Sequence, residues 1–154
     1  MPYELNWAAS LRLRPSESRD AAAILLVWSR SSKGAHRFLS LQHFDDLTTA
    51  LVAECATSGR FVVAEAEDLI VGFMGQTARN LDFLFVDPIA GRQGIGTSLV
   101  KHARALAGPL ETRVYAQNIH AVSFLAKRNF EIVGHSAHDA GGRPYPIHTM
   151  RQPL

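Results

Sequence analysis

The stretch VDPIAGRQGIGTSLV, residues 86–100, combines residue types and spacing that suit anion binding. It places Gly91, Gly94 and Gly96 between a hydrophobic run and an amphipathic run. The first turn of a helix has free backbone N–H groups and a partial positive charge, and glycines let an anion approach them closely. Arg92 adds a full positive charge. The stretch therefore predicts a phosphate-binding loop before a helix, and the alternative is a tight turn that only permits close packing.

Two well-known phosphate-binding loops do not fit this stretch. Residues 91–98 differ from the nucleotide-binding pattern GxxxxGK[ST] because Thr97 stands where the lysine should be. From Gly94 onward, Leu99 replaces the third glycine of the dinucleotide pattern GxGxxG. A dinucleotide loop also follows the first strand of its fold, whereas this loop follows four predicted strands. A third kind of loop is therefore needed.

Length and composition are typical of a globular protein built around one core. The chain has 154 residues, of which 47% are hydrophobic and 19% charged, so we expect a single domain over residues 1–154, with residues 1–10 as an N-terminal extension. The net charge of +2 comes from scattered basic residues, which does not favour nucleic acid. The longest apolar run, residues 21–28, is too short to cross a membrane. The single cysteine, Cys55, and an N-terminus unlike a signal peptide favour the cytoplasm.

Hydrophobic periodicity predicts seven strands and four helices. Strands are expected at residues 11–14, 61–66, 69–75, 81–87, 112–117, 130–135 and 145–150. Residues 31–36 are expected to form a loop. The helices are predicted from the apolar positions Ala21, Ile24, Leu25 and Trp28; Phe44, Leu47 and Leu51; Ile95, Leu99, Ala103 and Leu106; and Ala121, Val122, Phe124 and Leu125. The order β-α-α-β-β-β-α-β-α-β-β indicates an α/β (α+β) class with helices packed on a mixed sheet.

Two motifs in this order resemble the GCN5-related N-acetyltransferase (GNAT) family. Residues 84–100 resemble its acetyl-CoA-binding motif, V-x-P-x-x-[RQ]-x-x-G-x-[GA], and residues 118–130 resemble its second signature, N-x-x-A-x-x-F-Y-x-x-x-G-F. The matching residues are Val86, Pro88, Gly94 and Gly96 in the first motif, and Asn118, Ala121, Phe124 and Phe130 in the second. The spacing of the two motifs and the order of strands around them also agree with the family.

The resemblance implies direct transfer of an acetyl group from acetyl-CoA to the amine of a small molecule or protein, with no metal. It implies that a backbone N–H near Val86 stabilises the oxyanion and that backbone amides of the glycine loop hold the diphosphate. Many family members dimerise, so the resemblance allows a homodimer. The expected cofactor-binding residues are Phe85, Val86, Gly91, Arg92, Gln93, Gly94, Ile95, Gly96, Thr97, Asn118, Ser123 and Phe124.

Three positions depart from the family pattern. Gly91 occupies the Arg/Gln position, with Arg92 beside it, and Asn129 replaces the glycine before the final phenylalanine. Leu125 stands where many members carry the tyrosine that protonates the leaving thiolate. This change leaves open a non-catalytic acyl-CoA-binding sensor, or an acyltransferase with another acyl group or acceptor. Substitute proton donors are Tyr115, Ser123 and Tyr145, which the sequence does not rank.

Asp82 is the candidate catalytic base, because it is the only ionisable residue in LDFLFV, residues 81–86. Strand alternation predicts that it shares a face with Leu84 and Val86, opposite Phe83 and Phe85. A partly buried carboxylate there would suit a base acting directly or through water. The alternative is that Asp82 is solvated at the strand entrance or bonded to the preceding turn. Two further candidates for proton transfer, His36 and His43, are expected at the surface.

Overall fold

A seven-stranded mixed sheet forms the centre of the computed structural model, which describes residues 7–154. The strands are β1 (Arg12–Pro15), β2 (Val62–Ala66), β3 (Leu69–Thr77), β4 (Asn80–Val86), β5 (Glu111–Tyr115), β6 (Glu131–Ser136) and β7 (Ile147–Arg151). The helices are α1 (Ala21–Ala35), α2 (Leu41–Cys55), α3 (Ile95–Ala107) and α4 (Ile119–Ala126). The predicted class and the predicted order of elements are therefore confirmed.

The sheet is antiparallel except at one position in its middle. Its strands lie in the order β1-β2-β3-β4-β5-β7-β6, and β4 and β5 are the parallel neighbours. These two strands pair at a single position, Asn80 with Glu111. Thr112 adds one contact, because its Oγ1 donates a hydrogen bond to the carbonyl of Leu81 at 2.7 Å. Beyond this point no ladder holds the two strands together, so the sheet opens into a fork.

Two hydrophobic cores cover the two faces of the sheet. On one face, α3 places Ile95, Leu99 and Ala103 against the sheet, as its predicted apolar stripe requires. Leu106 was predicted for the same stripe, but its side chain is 69% exposed, so that prediction is wrong. On the other face, the core residues of α1 and α2 pack on aromatic side chains of the sheet. The buried members of this second core are Ile24, Val27, Trp28, Leu51, Cys55, Phe61, Val63 and Phe73.

The first helix is longer than its sequence suggests. Residues 31–36 were predicted as a loop, but α1 continues through Gly34 to Ala35. The residues that follow Trp28 at intervals of four, Ser32 and His36, are both buried. Burial of these two side chains favours a helix over residues 31–35, although serine and glycine have low helix propensity. The loop prediction is therefore wrong.

Residues 7–10, which precede β1, pack on the core through Trp7. Residues 7–10 form one 3-10 turn, and Trp7 is 4% exposed among the core residues of the α3 face. The remainder of the predicted extension, residues 1–6, lies outside the described residues, and the single-domain expectation stays a prediction. In residues 7–154 no helix is long and apolar enough to cross a membrane.

Candidate active site

The fork between β4 and β5 opens into a cavity of about 590 Å³. Its walls come from both strands, from α1 and α2 on one face, and from α3 and α4 on the other. Trp28, Leu47 and Phe85 supply an apolar wall on the α1–α2 side. Gly96 and Phe124 lie on the opposite side. The cavity therefore connects the glycine loop with the helices of the other face, which is an arrangement that can hold two substrates at once.

The β4 backbone presents free amides to this cavity. The amide of Asp87 donates to the carbonyl of Val71 at 2.8 Å, which continues the antiparallel ladder between β3 and β4. Because the backbone groups of such a ladder alternate in direction, the amides of Leu84 and Val86 point away from β3 and towards the fork. A carbonyl oxygen placed in the cavity would therefore meet N–H donors from β4.

The glycine loop ends in a helix start that suits an anion. Arg92 and Gly94 have φ angles of 63° and 79°, and the left-handed conformation at Gly94 directly precedes α3. The first amide bonded within α3 is that of Ser98, which donates to Gly94. The preceding amides, 95–97, have no acceptor inside the helix and carry the positive end of its dipole. The loop therefore leads directly into a helix start, as predicted, and anion binding there stays a prediction.

The expected cofactor-binding residues fall into two groups. Phe85, Val86, Gly96, Asn118 and Phe124 line the cavity. Residues 91–95 and Thr97 form the loop and first turn at its edge. Ser123 is exposed on α4 and is not one of the lining residues among those described. The cofactor assignments themselves stay predictions.

Several of the expected cofactor-binding side chains contact protein groups. The Oε1 atom of Gln93 accepts a hydrogen bond from the amide of Trp7 at 2.7 Å. Ile95 is 1% exposed, so its side chain belongs to the core. The hydroxyl of Thr97 accepts from Arg128, an arginine that the sequence analysis missed. Arg128 follows Phe124 by one helical turn, and this spacing is the signal that could have found it.

Asn118 caps α4 and also reaches across the cavity. Its Oδ1 accepts a hydrogen bond from the amide of Ala121 at 3.2 Å, as expected for an N-cap. Its Nδ2 lies 3.4 Å from Nε2 of His36. Since an amide nitrogen only donates, Nε2 is the acceptor and the ring proton is on Nδ1, which lies 3.2 Å from Oγ of Ser32. The Asn118 side chain therefore links α4 to His36, the residue that follows α1.

His36 is a second residue whose place the sequence misjudged. It was expected at the surface, but it is 8% exposed, lines the cavity and contacts the rings of Trp28, Phe85 and Tyr115. The signal was the i+4 spacing from Trp28 through Ser32, which continues the buried face of α1. Burial lowers the pKa of His36 to about 4, so the ring is neutral in the folded protein at neutral pH.

Acid is expected to destabilise the protein through this histidine. Unfolding restores an ordinary histidine with a pKa near 6.5, so between pH 6.5 and pH 4 the unfolded chain binds a proton that the folded one does not. Stability is therefore lost as pH falls through this window. Urea unfolding at pH 7 and pH 5 should show that His36→Gln removes about 2 kcal/mol of the pH-dependent loss. An equal loss in both proteins would contradict the buried neutral ring.

Asp82 lies at the apex of the fork and lines the cavity. Its side chain is 21% exposed, and its Oδ2 accepts hydrogen bonds from Arg60 at 3.1 Å and from Thr77 at 2.7 Å. Its Oδ1 accepts from Nδ2 of Asn80, so the alternative of a bond to the preceding turn is also realised. The carboxylate forms part of the cavity wall. Its role as a base stays a prediction.

The predicted face of Asp82 is wrong. Gln76 pairs with Leu81 and Gly75 pairs with Phe83, so Asp82 is a bulge residue without a partner on β3. The extra residue shifts the alternation. Leu84 and Val86 pack on the α3 side, whereas Asp82 binds Arg60, whose guanidinium lies 5.4 Å from the centre of the Phe83 ring. The carboxylate therefore lies on the α1–α2 side of the sheet, together with Phe83 and Phe85.

The three candidate proton donors have different surroundings. The hydroxyl of Tyr115, which lines the cavity, donates to Oδ2 of Asp139 at 2.7 Å, and burial together with this bond raises the pKa of Tyr115. The hydroxyl of Tyr145 lies 2.6 Å from Nδ1 of His43 and accepts from the amide of Ser40. Ser123 is exposed. Leu125, at the family's tyrosine position, is buried and lines the cavity.

A split sheet, free β4 amides and a glycine loop at a helix start together define an acyl-CoA-dependent transferase. The family model described as acetyltransferase (GNAT) domain matches residues 29–149. The chain therefore belongs to the GNAT family, and it is an N-acetyltransferase that uses acetyl-CoA. Family membership makes the protein an enzyme, as the sequence predicted.

Named relatives and solved structures agree with this placement. The chain is 35% identical to peptidyl-lysine N-acetyltransferase YjaB of Salmonella typhimurium over 143 residues, which cover 93% of this chain and 99% of the relative. It is similar to the solution structure of apo YjaB from Escherichia coli, with a TM-score of 0.85 and 33% identity over 92% of this chain and 96% of that one. The PaiA N-acetyltransferase of Thermoplasma acidophilum, solved with coenzyme A, shares the fold with a TM-score of 0.72 and 19% identity over 94% and 99% of the two chains.

Proposed function

We propose that this enzyme acetylates the ε-amino group of lysine side chains in proteins. The observation that carries the proposal is the cavity at the β4–β5 fork, whose apolar wall on the α1–α2 side leads to a carboxylate. Trp28, Leu47 and Phe85 suit the aliphatic stem of a lysine, and Asp82 lies at the apex of the fork to receive its amino group. The YjaB relatives, whose names specify peptidyl-lysine as the acceptor, support the same substrate class.

The chemistry assigns a task to each wall of the cavity. An ammonium has no lone pair, so Asp82 takes a proton from the lysine, directly or through water. The neutral amine attacks the acetyl carbonyl and forms the new C–N bond, while the β4 amides at Leu84 and Val86 stabilise the oxyanion. The C–S bond then breaks and CoA leaves as a thiolate, which takes the second proton of the attacking nitrogen, directly or relayed by the Tyr115 hydroxyl or water. Asn118 and the glycine loop hold the CoA chain.

A peptide panel tests the choice of acceptor. Peptides with one lysine and a blocked N-terminus should release CoA thiol from acetyl-CoA, and mass spectrometry should find the added acetyl group on the lysine. Matched peptides with a free N-terminus and the lysine replaced by norleucine should react at no more than about a tenth of that rate, which is a difference of about 1.4 kcal/mol in the activation barrier. The reverse preference, or reaction with small amines alone, would refute the lysine proposal and leave the acetyltransferase assignment intact.

Two further properties belong with this proposal. The protein is expected to act in the cytoplasm, which agrees with its one cysteine, Cys55, being a buried free thiol. A homodimer is the assembly that the family allows. Light scattering of the purified protein would measure its mass and decide between a dimer and a monomer.

A further inference from the structure

Arg128 is held against the first turn of α3 by contacts from three directions. Its Nε donates to the Thr97 hydroxyl at 3.1 Å, and its Nη2 donates to the same oxygen. Its Nη1 donates to the carbonyl of Phe124 at 3.1 Å. The guanidinium also lies over the Phe124 ring, 3.9 Å from the ring centre. The charged group therefore has a fixed position beside the glycine loop.

At the start of α3, positive charge collects with no carboxylate of the described chain to balance it. The start of a helix carries partial positive charge, so a cation there is repelled. Six other arginines form ion pairs with carboxylates, but no carboxylate of residues 7–154 forms one with Arg128. Arg92 adds a second charge on the loop itself, also without an ion pair in the described chain. The fold thus collects positive charge at one helix start.

The guanidinium still has donors to offer. Arginine has five N–H groups, and the contacts with Thr97 and Phe124 use three of them, so two remain. Arg128 is half-buried, so these donors reach solvent next to the amides of the first turn of α3. A side chain that is already held in place loses little further entropy when it binds a ligand. Such a group suits the oxygen atoms of a phosphate.

We propose that Arg128 binds a phosphate group of coenzyme A, and that Thr97 and Phe124 position it for this contact. The phosphate is either the 3′-phosphate of the ribose or the diphosphate that the glycine loop is expected to hold. The inference depends on the use of acetyl-CoA. It does not depend on lysine being the acceptor, so its test needs no acceptor at all.

Calorimetric titration with CoA and with 3′-dephospho-CoA tests the contact. In Arg128→Met the stem can still cover the Phe124 ring but the charge is lost, and CoA binding should weaken about tenfold, typical for loss of a charged hydrogen bond. Lys127→Met removes the same charge from the neighbouring exposed residue and should change the affinity less than about twofold. Arg128→Lys keeps the charge but lacks the planar guanidinium group, and it should give an intermediate loss of affinity.

The two ligands identify the phosphate. If Arg128 contacts the 3′-phosphate, the normal protein prefers CoA over dephospho-CoA about tenfold and Arg128→Met loses that preference. If it contacts the diphosphate, Arg128→Met weakens both ligands equally. In both cases CoA binding by Arg128→Met should depend less on salt concentration than CoA binding by the normal protein. Salt screens an ion pair, whereas it does not screen packing. Normal affinity in Arg128→Met, or a loss with unchanged salt dependence, would overturn the proposal. If Arg128→Met fails to fold, the same comparison of salt dependence with Arg128→Gln, which also removes the charge, decides.

Discussion

Replacing Asp82 by asparagine is expected to lower kcat about 100-fold, the usual contribution of a positioned general base. Asparagine has nearly the same size and can still accept from Arg60 and Thr77, but it cannot take a proton from the acceptor amine. The KM for acetyl-CoA should change less than about twofold, because Asp82 lies on the α1–α2 side of the sheet, away from the glycine loop. Thiol release at saturating concentrations of both substrates measures the effect.

Glu54 provides the matched control for this experiment. Arg60 binds the carboxylates of both Glu54 and Asp82, but of the two only Asp82 lines the cavity. Glu54→Gln should therefore keep kcat within about twofold of the normal value, since it weakens only a partly exposed ion pair. Equal losses in the two variants would mean that the carboxylates merely hold Arg60. An unchanged kcat in Asp82→Asn would remove Asp82 from the mechanism.

The order of elements was accessible from the sequence because local signals mark each element. Glu67 and Asp68 have φ angles of 51° and 61°, as a tight turn between β2 and β3 requires, and this acidic pair separates two apolar runs in the sequence. Gly108 ends α3, as its position after the apolar stripe predicts. Signals of this kind involve only residues that are close in the sequence, so they can be detected without the structure.

The side of the sheet on which Asp82 lies was not accessible in the same way. Strict alternation assigns Asp82 to the face of Leu84. One bulge residue in β4 reverses the face expected for Asp82 and for the β4 residues before it. The bulge depends on how β4 pairs with β3 near Gly75 and Gln76, which are distant from any local signal in LDFLFV. A register shift of this kind is a property of two strands together.

Two residues of the candidate site, His36 and Arg128, also depend on contacts between distant parts of the chain. His36 and Arg128 acquire their places from contacts with residues far along the chain, Asn118 for the first and Thr97 for the second. The motif residues of the glycine loop could be predicted because their spacing alone carries the signal. His36 and Arg128 carry only an i+4 spacing, which marks a helix face but does not show which distant residues they contact. The structure therefore adds the contacts of His36 and Arg128 to a candidate site whose motif residues the sequence predicts.

Replacing Gly96 by valine is expected to weaken CoA binding at least about 100-fold, which corresponds to about 2.7 kcal/mol. A Cβ atom at this position would lie 3.0 Å from Cζ and 3.2 Å from Cε2 of Phe124. The ring cannot retreat freely, because the Arg128 guanidinium lies on it. The two methyl groups of valine would push α4 away from the start of α3 and cover the amides that the diphosphate needs. Titration calorimetry with CoA measures the loss.

Gly34 separates this local effect from the general cost of valine in a helix. It lies inside α1, and a Cβ atom there would have nothing within 4 Å. Gly34→Val should therefore bind CoA with normal affinity. Gly96→Ala adds one methyl group against the same ring and should fall between the normal protein and Gly96→Val. If Gly96→Val bound CoA normally while its melting temperature stayed normal, the diphosphate would have to be held away from the first turn of α3.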